Sequence, residues 1–326
     1  KIMIKNNTQK LFYLFLICTL ATFAGCTSSP SQPAADPVTV KLSWEDSVQF
    51  LGFYVAEDQG YYADENLDIT LIPLAGTFEM DETPKMISSG EIDFGVGGTA
   101  LVLAHQDLPL TIVAALYQFS PGALFTRAES GIQTPSDLAG HSVAIKSESW
   151  ETLIDGLLEF SGLTPDQITK VEAGFDMTPF YEGEVDVWAG WITNEVVVAR
   201  LRGLDIITLP LYEYGIKNND NLIFTRQEMV RDHPDLVERF LRATLKGWEW
   251  AVENPAAAVD IFIEQFPDEA GSRDFHLGSF EASVPLIVPG GTLPGSLDCQ
   301  AGQFREEMLD EAFCNHLILQ RLRDGE

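Results

Sequence analysis

The feature that most constrains the fold is a regular alternation of strand-like and helix-like segments from residue 38 to residue 173. Short apolar and β-branched runs predict strands, and apolar residues spaced three or four apart predict the helices between them. This βαβαβ order predicts an open, mainly parallel α/β sheet with helices on both faces. Ligands of such sheets bind beyond the carboxyl ends of the strands. The predicted strands are Val38–Trp44, Leu67–Pro73, Ile92–Val96, Leu110–Leu116, Ser142–Lys146 and Val171–Ala173, and the predicted helices are Phe50–Gln59, Pro84–Ser89, Ala100–Gln106 and Trp150–Ser161.

A short internal repeat indicates that this arrangement occurs twice. Residues Ser89–Gly98 align without gaps on Glu182–Trp191, and each copy runs Gly, Glu, a β-branched residue, Asp and then an apolar strand. The glycine is of the kind that ends a helix. We therefore predict two similar lobes that aim strand ends at a shared cleft. The alternative is a chance coincidence of residues common at helix–strand boundaries.

The last third of the chain is predicted to be helical. Gln227–Arg231, Pro234–Glu253 and Pro255–Phe266 carry apolar residues at helical spacing and are expected to pack on the first lobe. Residues 285–303 are rich in Gly and Pro and are expected to be irregular.

The N-terminal residues predict export and a lipid anchor. Residues 1–10 contain three lysines and no acid, and residues 11–24 are almost wholly apolar, so residues 1–25 read as a signal peptide. The small residues before Cys26 resemble the bacterial lipobox, whose cysteine is diacylated, with Phe23 where that motif usually has Leu. A plain signal peptide with an incidental cysteine is the alternative. Residues 26–37 are polar and Pro-rich and would form a tether.

Charge and cysteine content narrow the partners further. The formal net charge is −29, which disfavours nucleic acid and anionic lipid surfaces. Cys299 and Cys314 form an even pair in a predicted exported protein, which favours a disulfide over two buried free thiols. They lack the spacing of zinc ligands, so we expect neither a metal nor a cofactor.

A series of short motifs, in order, resembles the periplasmic binding proteins of the NMT1/THI5-like type. Each motif is weak alone, but their order and spacing extend over most of residues 40–265. The matching segments are Leu42–Trp44, Gln49–Ala56, Gln59–Tyr62, Ile87–Gly95, Pro135–Gly140, Gly190–Glu195 and Asn254–Pro255. The family includes binding proteins for thiamine pyrimidines, riboflavin, and taurine or alkanesulfonates.

The resemblance implies a type II periplasmic-binding-protein-like fold, with two α/β lobes and the ligand in the cleft between them. The chain would leave lobe one near Tyr117 and return near Tyr214. Lobe one would then comprise residues 38–118 plus 215–326, and lobe two residues 119–214. The implied role is capture of a small molecule outside the cytoplasm, at the membrane, for the permease and ATPase subunits of an ABC importer.

Candidate ligand-binding residues follow the predicted strands. Tryptophan and tyrosine suit stacking on flat ligands, with core packing as the alternative for each residue. Residues 97–99 offer backbone N–H groups and a hydroxyl at a helix start, and residues 194–195 offer hydrogen-bonding groups for ring nitrogens or ribityl hydroxyls. The predicted ligand-binding residues are Trp44, Phe50, Gly98, Thr99, Tyr117, Gln118, Trp150, Trp188, Trp191, Asn194, Glu195 and Tyr214.

The same residues rank the ligands. Lys146 is the single basic candidate on its side of lobe two, whereas a sulfonate or phosphate prefers Arg or several donors, so a neutral flat heterocycle is favoured. Pyrimidine binders of this family tend to show a Pro-Asn-x-x-His type segment after their Trp, and residues 45–50 contain no His. Riboflavin is therefore the first hypothesis, a hydroxymethylpyrimidine-type thiamine precursor the second, and an alkanesulfonate or taurine the third.

Two other functional classes are less favoured. The yeast pyrimidine synthases share this fold, but this sequence lacks their cysteine- and histidine-rich segment and shows no HExxH, GxSxG or Walker motif. A sensor ectodomain would need a membrane span or kinase module, and residues 38–326 show the pattern of neither. We expect a binding protein and not an enzyme.

Overall fold

A computed structural model describes residues 34–74, 82–98, 101, 105, 107–216, 219–268 and 273–288. The predicted signal peptide, Cys26, Thr99, most of the predicted helix Ala100–Gln106, and the pair Cys299 and Cys314 lie outside the described residues. No helix within the described ranges is both long enough and apolar enough to cross a membrane.

The strands of the described residues are β1 (Asp36–Lys41), β2 (Leu67–Ile72), β3 (Phe94–Gly97), β4 (Leu110–Ala115), β5 (Gly122–Arg127), β6 (Ser142–Ile145), β7 (Thr169–Glu172), β8 (Val187–Trp191), β9 (Ile206–Pro210) and β10 (Leu222–Arg226). They form two five-stranded sheets with the spatial orders β2-β1-β3-β10-β4 and β7-β6-β8-β5-β9. In the first sheet β1 pairs in parallel with β2 and β3, and β10 is antiparallel to β3 and β4. In the second sheet β6 pairs in parallel with β7 and β8, and β5 is antiparallel to β8 and β9.

The helices of the described residues are α1 (Leu51–Asp58), α2 (Tyr61–Asp64), α3 (Thr83–Ser89), α4 (Glu148–Phe160), α5 (Thr178–Glu182), α6 (Glu195–Leu201), α7 (Gln227–Asp232), α8 (Pro234–Glu253), α9 (Pro255–Gln265) and α10 (Arg273–Ile287). Short 3₁₀ turns at Val48–Phe50, Pro135–Leu138 and Leu211–Tyr214 lie between them. The prediction of irregular chain from residue 285 was wrong for residues 285–287. Pro285 lies inside α10, whose last two residues, Leu286 and Ile287, are buried in the first lobe's core and hold that turn in place.

The two sheets have the same strand order, which confirms the predicted pair of α/β lobes. Each contains one antiparallel strand, so the predicted mainly parallel sheet is correct for the other strands. That strand, β10 in the first lobe and β5 in the second, is the first one formed after the chain passes from one sheet to the other. The two connections are residues 116–121 and 211–221. The strands β5, β9 and β10 were not predicted.

The same side-chain lock occurs in both lobes. In the first, Asp93 Oδ2 accepts hydrogen bonds from the Thr39 N–H (3.0 Å) and hydroxyl (2.9 Å), and the Asp93 N–H donates to Thr39 Oγ1. In the second, Asp186 Oδ2 accepts from the Ser142 N–H (2.9 Å) and hydroxyl (2.8 Å), and the Asp186 N–H donates to Ser142 Oγ. The two aspartates of the sequence repeat therefore make equivalent hydrogen bonds, one set in each lobe.

A threonine–arginine pair on the antiparallel strand completes each lock. Thr225 donates to the Asp93 carbonyl oxygen (2.6 Å), and Thr126 donates to that of Asp186 (2.8 Å). The next residue in each case is an arginine that donates to a backbone carbonyl near the lock, Arg226 to that of Ile92 and Arg127 to that of Phe180 in α5. The pair follows the aspartate in sequence in the first lobe and precedes it in the second. A linear comparison of the sequence therefore does not find it.

We expect Asp186→Asn to lower the free energy of unfolding by about 1–2 kcal/mol at pH 7, because the half-buried Ser142 donors lose their anionic acceptor. Burial opposes ionisation of Asp186, but hydrogen bonds from Ser142 and His141 outweigh it, so the pKa of Asp186 lies below its ordinary value. A depressed pKa contributes stability that is present above the unfolded-state pKa of about 4 and is lost as pH falls through the folded-state pKa. Urea unfolding should show the difference from wild type shrinking between pH 5 and the most acidic pH at which both proteins fold. A difference that does not change with pH would contradict this.

Glycines let α1 and α8 pack closely. A Cβ at Gly247 would overlap the carbonyl oxygen of Gly52, and one at Gly52 would overlap the Trp248 ring. Each helix contributes buried side chains to the first lobe's core, among them Phe53 of α1 and Phe240 of α8. This contact therefore fixes the distance between the two helices.

We expect Gly247→Ala to destabilise the protein by about 1–3 kcal/mol, since the added methyl group meets backbone that has no rotamer to adjust. Gly174→Ala is the matched control, because a Cβ at Gly174 meets nothing within 4 Å. Urea midpoints of the two variants should differ clearly, and equal midpoints would refute the close contact.

Candidate functional site

The carboxyl ends of the parallel strands and the two inter-lobe connections are where the topology places a ligand. On the second lobe these ends lead into Lys146 after β6, the loop after β7, and Trp191 at the end of β8. On the first lobe they lead into Trp44 after β1 and Gly98 after β3. We call the second-lobe group, which comprises Lys146, Trp150, Phe175, Trp191 and Glu195, the aromatic–ion-pair cluster.

A buried ion pair lies at the base of this cluster. The Lys146 Nζ and Glu195 Oε1 atoms are 2.6 Å apart, and the two side chains are 3% and 12% exposed. The second carboxylate oxygen of Glu195 accepts a hydrogen bond from the Trp191 N–H at 2.9 Å. A Cβ at Gly190 would lie 2.9 Å from the Glu195 carboxyl carbon, so only glycine leaves room for it. Glu195 therefore uses both oxygens inside the protein.

Aromatic rings surround the ammonium group of Lys146. Its Nζ atom lies 5.0 Å from the ring centroid of Trp150 and 5.7 Å from that of Phe175. Trp150 and Trp191 meet edge to face with centroids 5.3 Å apart. The hydroxyl of Ser147 caps α4 by accepting from the Trp150 N–H, which sets Trp150 in the first helical turn. The cluster therefore comprises Lys146, Trp150, Phe175, Trp191 and Glu195.

Sequence reasoning found part of this cluster. It named Trp150, Trp191 and Glu195, and it noted Lys146 as a basic candidate without placing it in the site. Phe175 was missed, although it is 77% exposed beside a strand end. Its signal in the sequence is an aromatic residue in a polar loop directly after a predicted strand.

A second polar group lies where the two connections meet the first lobe. Ser120 on the outgoing connection donates to Asp220 Oδ2 at 2.6 Å, and Asp220 immediately precedes Asn221 at the start of β10. A Cβ at Gly98 would lie 2.6 Å from Asp220 Oδ1. Burial raises the pKa of Asp220, and the hydrogen bond from Ser120 offsets only part of that effect. The sequence expectation placed a polar or anionic ligand edge at Gly98, and the structure places a carboxyl group there.

Asparagines beside Asp220 tie the connections together. Asn219 Nδ2 donates to the Gln118 carbonyl oxygen at 2.8 Å. Asn221 Nδ2 donates to the Gln49 carbonyl oxygen at 3.0 Å, and the Gln49 amide donates back to Asn221 Oδ1 at 2.8 Å. These bonds fix the backbone around Asp220 on both sides. The predicted residue Gln118 thus contributes its carbonyl, while its side-chain amide donates to the Ala115 carbonyl oxygen.

Several predicted site residues lie in the cores. Phe50 and Trp188 are fully buried, and Tyr117 packs edge-on against Trp248 with only 3% of its surface exposed. Side chains alternate along a strand, so Trp188 and Trp191 of β8 point to opposite faces of the second sheet. Trp188 accordingly packs against Phe180. We leave these three residues out of the proposed ligand contacts. Trp150 is also buried, with 8% of its surface exposed, but it stays a candidate because its ring lies beside Lys146 in the cluster.

The remaining predicted residues lie at the surface or near it. Trp44 is 39% exposed after β1, Asn194 is exposed at the start of α6, and Tyr214 is half-buried against the Phe160 ring. Of these, Trp44 and Asn194 lie at the strand ends that face a ligand, and they stay candidates.

The fold and the strand-end site define a periplasmic solute-binding protein fold. With a TM-score of 0.65 and 17% identity, the structure resembles a periplasmic protein described as the putative sulfonate-binding SsuA of an ABC transporter in Methylobacillus flagellatus KT, over 89% of this chain and 96% of that one. Residues 47–258 match the NMT1/THI5 like family, and the chain belongs to that family.

Relatives that are similar to this chain in sequence are named for different functions. The chain is 30% identical to the riboflavin-binding protein RibY of Chloroflexus aurantiacus, over 81% of this chain and 77% of that protein. It is 28% identical to a formylaminopyrimidine-binding protein of Halalkalibacterium halodurans, over 79% and 78% of the two chains. It is 26% identical to a 4-amino-5-hydroxymethyl-2-methylpyrimidine phosphate synthase of Legionella pneumophila, over 71% and 74%.

We expect Lys146→Met to destabilise the protein by about 3–5 kcal/mol, because it leaves the Glu195 carboxylate buried without its counter-charge. The double variant Lys146→Met/Glu195→Gln removes both charges and should recover part of that loss. The exposed pair Lys85–Glu82 serves as the control, and Lys85→Met should change stability by less than about 1 kcal/mol. Urea unfolding at pH 7 measures all three, and a double variant no more stable than Lys146→Met would contradict the interpretation.

Proposed function

We propose that this chain is a non-enzymatic solute-binding protein that captures a flat, neutral heterocyclic vitamin, with riboflavin as the first candidate, and delivers it to an ABC permease. The observation that carries the proposal is the aromatic–ion-pair cluster. Three aromatic rings and a neutralised ion pair form a surface that can stack on a planar ring without attracting net charge.

The charges at the strand ends disfavour an anionic ligand. The Lys146 ammonium is already paired with Glu195 at 2.6 Å, so its charge is compensated inside the protein. Asp220 adds a carboxyl group on the first-lobe side, next to Gly98. A sulfonate placed between these groups would face an uncompensated acid and no pre-arranged fork of donors. An alkanesulfonate or taurine is therefore the third candidate.

A thiamine pyrimidine precursor is the second candidate. The identities to the riboflavin-binding and formylaminopyrimidine-binding relatives, 30% and 28%, are too similar to separate the two ligands. The number of rings favours the larger one, because the exposed Phe175 and the partly exposed Trp191 lie beside Trp150, which is itself 8% exposed. The missing His in residues 45–50 points the same way.

A synthase-like activity is not favoured, although a relative of that name is 26% identical. The yeast enzymes that the sequence resembles carry a cysteine- and histidine-rich segment, and this chain has no counterpart. The predicted signal peptide and predicted lipidation of Cys26 suit a protein held at the membrane outside the cytoplasm, where it can meet a permease. Binding without chemistry agrees with both features.

Capture would proceed by closure of the two lobes. The ligand would stack first on the second lobe, and closure would bury its other face and exclude water. The lobes already touch away from the connections, since a Cβ at Gly278 of α10 would lie 3.0 Å from Val197 Cγ1 of α6. Because α6 begins with Glu195, this contact links closure to the position of the ion pair. A ligand that binds the closed form more tightly shifts the population toward it.

The proposal is tested by titrating the purified protein with riboflavin, hydroxymethylpyrimidine and taurine, followed by flavin and tryptophan fluorescence. We expect saturable quenching of flavin emission at one equivalent. A response to the aminopyrimidine alone would assign the protein to thiamine salvage, and a response to taurine alone would overturn the neutral-heterocycle proposal.

Stacking is tested by Trp150→Ala and Trp191→Ala, each expected to weaken binding of the captured ligand by about 1–3 kcal/mol. Leu201→Ala is the control, since Leu201 is 53% exposed at the end of α6 opposite to Glu195 and the variant should bind as wild type does. Unchanged affinity in both tryptophan variants would remove the cluster from the site.

A further inference from the structure

Asp220 is the acidic group at the junction of the lobes that the stacking proposal leaves without a role. It lies on the returning connection, beside Gly98 at the carboxyl end of β3 and beside Ser120 on the outgoing connection. The strand ends, the connections and therefore the expected ligand position converge on this residue. The sequence segments that carry the family resemblance do not include Asp220.

The two oxygens of Asp220 are in different situations. Oδ2 accepts the Ser120 hydroxyl at 2.6 Å, and Ser120 Oγ in turn accepts the Gly122 N–H at 3.3 Å. Within the described ranges, Oδ1 takes part in no hydrogen bond, and because Asp220 is half-buried this oxygen is not sealed from solvent. The Asn219 and Asn221 anchors hold the backbone on either side. One oxygen is thus fixed and the other is presented.

A donor would stabilise a half-buried carboxyl group in that environment. Taking a carboxylate out of water is costly unless a hydrogen bond or a counter-charge compensates it. Its burial raises the pKa of Asp220, which is the expected sign of that cost. A ligand N–H or O–H aimed at Oδ1 supplies the missing partner, and hydrogen bonds to a charged acceptor are among the stronger ones.

We propose that Asp220 is a specificity-determining residue whose Oδ1 accepts a hydrogen bond from an N–H or O–H group of the bound heterocycle. This rests on the proposed function and deepens it, because it names the chemistry that the ligand must present. Ser120 is a positioning residue that sets the carboxyl rotamer, and Gly98 leaves the space that Oδ1 occupies. Flat ligands without a donor at that edge would stack but bind weakly.

The test compares Kd values of the full chain for riboflavin, N3-methylriboflavin and lumiflavin. For the wild type, N3-methylriboflavin binding at least tenfold more weakly than riboflavin assigns the donor to the ring imide, and lumiflavin binding at least tenfold more weakly assigns it to the hydroxyl chain. Asp220→Asn and Asp220→Ala should weaken riboflavin binding at least tenfold and abolish the preference over the weaker analogue. Asp58→Asn, an exposed acid at the end of α1, controls for the lost charge and should bind as wild type does.

Ser120→Ala keeps the carboxyl group and removes only the bond that orients it. A three- to tenfold loss of affinity with an unchanged unfolding midpoint supports the proposal even where an Asp220 variant does not fold. Asp220→Asn and Asp220→Ala that both bind within twofold of wild type overturn the inference while the vitamin-binding function stands. If the wild type binds hydroxymethylpyrimidine instead, the same variants are compared with that probe, whose amino group is the donor. A wild type that binds neither probe overturns the proposed function and the inference with it.

Discussion

Each sheet depends on backbone pairing with its one antiparallel strand. Without β10, β4 would have no partner in the first sheet and β3 would pair only with β1. Without β5, β9 would have no partner in the second sheet and β8 would pair only with β6. Unpaired strands inside a sheet expose N–H and C=O groups that must be satisfied. The second sheet is built from one continuous stretch, residues 122–210, whereas the first sheet needs β10, which follows that stretch in the chain. The connections 116–121 and 211–221 therefore lead into and out of the second lobe, and they run where the parallel strands end.

The same topology decides where polar groups meet. The Asp93 and Asp186 locks, each joined by a threonine from the antiparallel strand, lie at the amino-terminal side of β3 and β8. The opposite ends of these strands carry Gly98 and Trp191. One end of each lobe is thus closed by a repeated structural network. The other end differs between the lobes, with an acid next to a hydroxyl in one and an aromatic–ion-pair cluster in the other. This difference suits a ligand whose planar ring stacks on one lobe and whose polar edge donates hydrogen bonds to the other.

Local patterns predicted much of the fold. Helix ends at Gly90 and Gly183, the parallel strands β1, β2, β3 and β6, and the long helices α8 and α9 follow from periodicity and from glycine in the left-handed region. The antiparallel strands β5 and β10 were missed, because they have only six and five residues, end in Thr-Arg, and are too short to distinguish from other buried runs. For the site, the sequence supplied Trp150, Trp191 and Glu195 but assigned Trp188 and Phe50 to it as well. Nothing in a residue's type tells which face of a strand it occupies.

By itself the sequence determined the class of fold, the doubling of the α/β unit and the family, because these depend on residue periodicity and on motifs in linear order. Only the tertiary structure decided that Glu195 pairs with Lys146, that Phe175 joins Trp150, and that Asp220 meets Ser120 across 100 residues of chain. Those contacts join segments that are distant in sequence, and their charged groups interact strongly only because burial removes them from water. Their consequences for a ligand come from desolvation and geometry, which a linear pattern does not contain.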